Sequence, residues 1–304
     1  MFKSIAVLIL ILILISTNSY ANQCKVDQVK LQVLGSGGPE IDDGRSSSGY
    51  LIWYKNKARV LIDAGTGSSV EFDKSGAKFA DLQGILLTHL HVDHSADLPG
   101  YIKGSYFTSR SADIGLYGPA ANYLMPSTSD YLQRLLGDKG AFAYLNDYVN
   151  KRDNADYKIV ATDVPLIKGQ TYEYTLGENI KAKATFVHHG PVAAVAWRVE
   201  VAGCSIVFSG DMSNQFDVFS TFANKADILV ASNAVPDNAI GAALNLHMTP
   251  STIAQIAKRA QVKQLVLSHF MKRTLPIQKV TQGIIRQKYR GPIILATDGL
   301  IVNL

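Results

Sequence analysis

Leu86-Leu87-Thr88-His89-Leu90-His91-Val92-Asp93-His94 decides how this chain is read. An apolar, strand-like run from Gly84 to Leu87 stops here, and four possible metal ligands follow within six positions. His89 and His91 are two apart, so a bent loop after a strand can aim both imidazoles at one ion. Asp93 and His94 fall just beyond and can reach a second. The spacing predicts two metals. An incidental polar turn fits poorly, because this window holds three of the seven histidines in the chain.

Outward from this window, the remaining histidines stand at comparable places. Ala182 to Val187 reads as a strand and delivers His188-His189; neighbours on an extended chain point to opposite faces, so one of the two is expected to bind metal. His189, which immediately precedes Gly190-Pro191, is the choice, with His188 as the alternative. Leu265-Val266-Leu267-Ser268-His269 ends another strand at a ligand, and Ile206-Val207-Phe208-Ser209-Gly210-Asp211 is a buried strand ending in a carboxylate. His247 differs, because it precedes a helix that Thr249 can cap and Pro250 can open, with Ile253, Ile256, Ala257 and Ala260 on one apolar face. All seven histidines fall in these four places, which metal-site use explains better than a generic core.

His89-x-His91-x-Asp93-His94 followed by Asp97-Leu98-Pro99-Gly100 resembles the signature of the metallo-β-lactamase superfamily of hydrolases, and more narrowly its ribonuclease Z and arylsulfatase/phosphodiesterase branch. Leu34-Gly35-Ser36-Gly37-Gly38-Pro39, Leu61-Ile62-Asp63-Ala64-Gly65, His189-Gly190-Pro191, Ser209-Gly210-Asp211, His247-Met248-Thr249 and Leu267-Ser268-His269 occur in that family's order. The resemblance implies an α/β fold, the αβ/βα sandwich: two mixed β-sheets face to face, flanked by helices, with the metals at the sheet ends. It also implies a ligand set. His89, His91 and His189 hold one metal, Asp93, His94 and His269 the second, and Asp211 bridges. His247 corresponds to a proton donor, although the family's usual His-Ser-Thr or His-Glu-Ala-Thr appears as His247-Met248-Thr249. Arg273, four residues after His269, matches a position that contacts phosphate.

The N-terminus reads as an export signal. Lys3, an unbroken apolar run from Ile5 to Ile15 and Ser19-Tyr20-Ala21 make residues 1–21 a signal peptide, with the mature protein periplasmic or secreted. The run is about half the roughly 20 residues that a membrane span needs, so no stable span is expected after cleavage. Residues 22–304 carry no Pro/Gly/Ser-rich linker and read as one hydrolase domain. Removal of Lys3 takes the formal charge from +5 to +4, and no Lys/Arg block suggests a nucleic-acid surface. Cys24 and Cys204 permit one disulfide in an oxidising compartment.

Val29 to Leu34, Tyr50 to Tyr54 and Ala58 to Ile62 are expected to be strands, the last two a hairpin, in a mostly antiparallel opening sheet. Asp63 then caps a turn or supports a metal histidine from behind. Residues 101–183 hold no histidine but are rich in aromatics, among them Tyr101, Tyr106, Phe107, Tyr123, Tyr131 and Tyr144. These rings pack a small helical insert, or form a lid or substrate wall over the metals.

The reading is therefore an exported dinuclear zinc hydrolase, with manganese or iron admitted by the same N/O donors, that cleaves an ester by a hydroxide held between the metals. A phosphodiester or sulfate ester is the expected bond, and Asp93 and His247 are the expected catalytic groups. The expected partner is a small anionic ester with no specific nucleic acid, because export and the lack of a basic arm argue against transfer-RNA processing; oligomers are permitted. Alternatives are a lactonase, a ribonuclease Z-like endonuclease, and a non-catalytic metal-binding scaffold.

Overall fold

The structure is a computed structural model that describes residues 24–150 and 154–304. The expected signal peptide, residues 1–21, lies outside the described residues. The first half of the chain gives β1 (Val29–Gly35), β2 (Gly49–Tyr54), β3 (Lys57–Ile62), β4 (Gly84–Leu86), β5 (Ile114–Pro119) and β6 (Ile159–Val164). The second half gives β7 (Thr171–Gly177), β8 (Ile180–His189), β9 (Val192–Val201), β10 (Cys204–Phe208), β11 (Ile228–Ser232), β12 (Gln264–Ser268) and β13 (Ile293–Leu295), and β14 (Ile301–Asn303) returns to the edge of the first sheet. Two mixed sheets of seven strands result, ordered β14-β1-β2-β3-β4-β5-β6 and β13-β12-β11-β10-β9-β8-β7.

Alternation along the strands explains the layering. Val29, Leu31, Val33, Ile52, Val60 and Ile62 face Ala182, Ala184, Val195, Trp197 and Phe208 across the gap between the sheets. Leu34, Leu51, Leu61 and Ile85 point the other way and are covered by Phe72 of α1 (Ser68–Lys74), Leu98, Tyr101 and Ile102 of α3 (Leu98–Ser105), which follows the short α2 (Val92–Ser95), and Leu132 and Leu136 of α4 (Thr128–Leu136). Ser127 caps α4, its side chain accepting from the Asp130 N–H. A 3₁₀ turn at Ala143–Leu145 and the short α5 (Asp147–Asn150) follow. Further along come α6 (Phe219–Phe222), α7 (Gly241–Leu246), α8 (Pro250–Arg259) and α9 (Gln278–Arg286). Thr249 caps α8, and Ile253, Ile256 and Ala257 form its buried stripe.

Two expectations change. The opening hairpin strands pair antiparallel, but β3, β4, β5 and β6 run parallel, because each is joined to the next by a crossover that the strand-level pattern does not encode. Residues 101–183 are not a separate insert: they supply β5, β6, β7 and the start of β8, and Tyr101, Tyr148 and Tyr157 pack in the core. Aromatics spread over several elements look like one cluster only along the sequence.

Cys24 and Cys204, 180 positions apart, are joined by a disulfide that ties the start of the described chain to β10. A loop that long makes a cross-link costly to lose, so Cys204→Ala is expected to destabilise the protein by roughly 2 to 5 kcal/mol. Urea denaturation with and without reductant measures this; coincident midpoints for wild type and variant would contradict it.

Among the described residues, no helix is long and apolar enough to cross a membrane. What positions the site is the shared direction of β3, β4, β8, β10, β11 and β12. Their carboxyl ends meet along one rim of the sandwich, where parallel strands leave a crevice between diverging loops.

Candidate metal centre

Every candidate ligand stands just past the end of one of these strands or at the start of the helix that follows. His89 and His91 follow β4, Asp93 and His94 lie in α2, His189 ends β8, Asp211 follows β10 and His269 follows β12. Leaving a strand this abruptly requires unusual backbone: Asp63, Gly190, Gly210 and His269 all have φ between +54° and +57°. At Gly210 a side chain is also sterically excluded, since a Cβ would stand 2.7 Å from that of Thr88. The tight turn brings Asp211 under the histidine loop.

Two adjoining groups of donors form there. In the first, His89 Nε2 lies 3.0 Å and His189 Nε2 3.4 Å from His91 Nδ1. In the second, His269 Nε2 lies 3.2 Å from Asp93 Oδ2 and 3.1 Å from Asp211 Oδ2, and His94 Nε2 lies 3.6 Å from each carboxylate. Asp211 Oδ2 is also 4.0 Å from His189 Nε2, so this one carboxylate faces both groups.

The rings are oriented from behind. His94 donates Nδ1–H to Asp63 Oδ2 at 2.8 Å, and His189 donates Nδ1–H to the Leu246 carbonyl at 2.8 Å, which turns both Nε2 lone pairs inward. His94 Nε2 is buried without a hydrogen-bond partner. Three ring nitrogens converging at 3.0 to 3.4 Å, with an orphaned imidazole facing two carboxylates, are the donor set of a divalent cation of the zinc class, and the residues present fit such ions.

Electrostatics agree. Burial lowers His89, His91 and His189, so these rings are neutral and free to donate lone pairs. On the other side burial opposes charge, but Asp211 and Asp93 outweigh it and lift His269 to about 10, while Asp63, Asp93 and Asp211 raise His94. Burial likewise works against ionising Asp93, yet His94 and His269 hold it down at about 2. The same carboxylates that favour a proton on His94 and His269 would favour a divalent cation in its place.

His247 lies between α7 and α8, its Nδ1 3.7 Å from Asp211 Oδ2, and it forms a third group of close donors with His189 and Asp211. Burial lowers it to about 4. The expectation that it stands apart from the strand-end donors therefore holds for its chain position but not for its distance. Arg273 is exposed, donates Nε–H to the Ala234 carbonyl at 2.6 Å, and its charge reaches His247. His188 turns away, its Nδ1 meeting Ser213 Oγ at 2.8 Å, and joins none of the donor groups among the described residues.

The supporting residues were less legible. Asp63, left open between a turn cap and a supporting role, accepts from the Thr88 N–H at 2.7 Å and from His94. Thr88 and Ser232, whose Oγ donates to Asp211 Oδ1 at 2.8 Å, gave no signal, since a hydroxyl at a strand end is commonplace. Asp63→Ala is expected to weaken metal binding by about 10- to 100-fold without unfolding the sheets, as loss of a carboxylate behind a ligand histidine does. Chelator competition reads the affinity; an unchanged value would show that His94 needs no such partner.

With this geometry in hand, residues 42–223 match the model of the Metallo-beta-lactamase superfamily. The chain belongs to that superfamily. It is a metal-dependent hydrolase acting on ester bonds. It is 26% identical over 275 residues to Ribonuclease Z of Picrophilus torridus, covering 80% of this chain and 86% of that one. To Ribonuclease Z of Mycobacterium bovis it is 27% identical over 287 residues, covering 89% and 96%. Among solved structures, human tRNase Z, short form, superposes with a TM-score of 0.70 at 22% identity, covering 90% of this chain and 98% of that one, a likeness of fold.

These relatives correct the expectation of a small anionic ester and no nucleic acid. That expectation rested on the export signal and on the lack of a basic arm; the first concerns where the protein acts and not which bond it cuts, and the second reports only cations adjacent in sequence. A surface assembled from distant segments needs no such run.

Proposed function

We propose that this protein is a dinuclear metallohydrolase of the ribonuclease Z type, cleaving a phosphodiester bond in RNA. The observation that carries the reading is the pair of adjoining donor groups that share Asp211, together with near full-length similarity to proteins of that name. His89, His91 and His189 would hold one cation, Asp93, His94 and His269 the other, and Asp211 would face both. Zinc suits these imidazole and carboxylate donors best. When bound, the cations supply Lewis acidity that activates a water and offsets charge building on the attacked phosphate.

The chain's own groups do the rest. Asp93, an ionised carboxylate at neutral pH, accepts a hydrogen from the attacking water and orients it. Asp63 and the Leu246 carbonyl keep His94 and His189 turned to the centre. His247 offers its ring N–H to the departing oxygen, and Arg273 steadies the phosphate from the rim. Incubating zinc-loaded protein with a transfer RNA bearing a 3′ extension, and mapping the product ends, tests the reading. A single internal cut lost in Asp93→Ala is expected; an intact RNA alongside rapid hydrolysis of bis(p-nitrophenyl) phosphate would reject it.

Export is part of the proposal, on the grounds of Lys3, the Ile5 to Ile15 run and Ser19-Tyr20-Ala21. N-terminal sequencing of the exported protein is expected to start at Asn22. An intact Met1 on a cytosolic product would reject it.

A further inference from the structure

Two segments packed against the turn that follows His189 carry exposed apolar and aromatic side chains and no lysine or arginine. The turn Asn122 to Met125 is closed on itself: the Leu124 and Met125 N–H groups donate to Asn122 Oδ1 at 2.9 and 2.8 Å, and the Asn122 N–H donates to the Met125 carbonyl at 3.1 Å. Asn122 Nδ2 then donates to the Pro191 carbonyl at 2.9 Å, which ties this turn to the chain two residues past His189. Tyr123, 87% exposed, and the exposed Leu124 directly follow the tethered Asn122, so they belong to the turn fixed to the His189-Gly190-Pro191 segment.

The other flank of the same His189-Gly190-Pro191 turn is covered by α7. A Cβ at Gly190 would stand 2.8 Å from Leu246 Cδ2, so the helix lies directly against it, and exposed Ile240 and Leu244 belong to this segment. Neither Gly118 to Pro126 nor Pro236 to Leu246 contains a lysine or arginine. These segments therefore offer a phosphate no cationic side chain. They offer a π face and aliphatic edges on a backbone already fixed, which suit a flat, largely apolar ring at little entropic cost. Arg273 and the donor groups, by contrast, suit the phosphate.

We propose that Tyr123 is a specificity-determining residue that stacks a nucleobase next to the scissile phosphodiester, with the α7 segment bounding the same subsite. This rests on the ribonuclease reading and adds the part of the substrate that the metal centre does not recognise. A base stacked on an aromatic side chain is worth roughly 1 to 3 kcal/mol, or about 5- to 150-fold in affinity.

The experiment compares two esters with the same leaving group on the zinc-loaded full chain: thymidine 5′-(p-nitrophenyl phosphate), which carries a base, and methyl p-nitrophenyl phosphate, which does not. Tyr123→Ala is expected to raise KM for the thymidine ester by about 5- to 150-fold while the methyl ester keeps its kcat/KM, and Tyr123→Trp is expected to restore the thymidine ester. Equal losses on both esters would make Tyr123 a structural support of the turn, and no loss on either would remove it from the subsite; both overturn the proposal. If neither ester turns over, titration with adenosine 5′-monophosphate against inorganic phosphate applies the same criterion to binding. A wild type that leaves RNA intact yet shows the Tyr123 dependence sinks the ribonuclease reading and keeps the subsite. One that cuts RNA with no Tyr123 dependence does the reverse.

Discussion

Asp211→Ala is expected to strip metal from both halves of the centre and to lower kcat/KM by about 10³-fold or more, since the Lewis acidity lost is worth several kcal/mol and each 1.36 kcal/mol is a factor of ten. No other carboxylate reaches so much of the site: Asp211 Oδ2 faces His94, His189, His247 and His269 within 4.0 Å. Its loss leaves those rings without the charge that offsets their burial. Asp211→Asn keeps the shape and the Ser232 contact but removes the charge, so it separates electrostatics from packing. Elemental analysis of both variants should show metal well below the wild-type level, with circular dichroism unchanged. A full metal complement in Asp211→Asn would mean that Asp211 is a buried structural acid and not a shared donor.

His247→Ala is the second large effect. It is expected to lower kcat by about 10² to 10⁴-fold for a poor leaving group, such as a ribose hydroxyl, and far less for p-nitrophenolate, with metal content unchanged. A basic departing oxygen cannot leave without a proton, whereas an activated phenolate needs little help. The neutral ring that burial favours still carries one N–H to offer. Its place 3.7 Å from Asp211 makes the metal measurement decisive. Loss of an ion in His247→Ala would make this residue a ligand alongside His189 and Asp211, and equal losses for both leaving groups would point to charge stabilisation at phosphorus.

The clearest failure of the sequence reading concerned the partner. Charge counted along the chain gave a mild excess with no basic block, and nucleic acid was set aside on that basis and on the export signal. Recognition of a phosphodiester depends on what converges at one rim. The donor groups and Arg273 come from segments up to 184 residues apart, and no linear count registers them.

By itself the sequence yielded the opening strands and the four histidine-bearing places, because short-range patterns of apolar residues and ligands need only their neighbours to be read, and the two-sheet α/β architecture followed from the family resemblance that those motifs carry. It left three matters to the tertiary structure. His189 was separable from His188 only once β8 had a buried face; Asp63 became the support of His94 only when β3 and β4 lay side by side in parallel; and the aromatic stretch 101–183 resolved into sheet strands, core rings and exposed rings. The tyrosines of that stretch divide between core and surface, with Tyr101, Tyr148 and Tyr157 buried and Tyr106, Tyr123 and Tyr144 exposed, and each of these matters depends on which distant segments pack together. Burial and hydrogen-bond partners are properties of that packing, so no window of the sequence contains them.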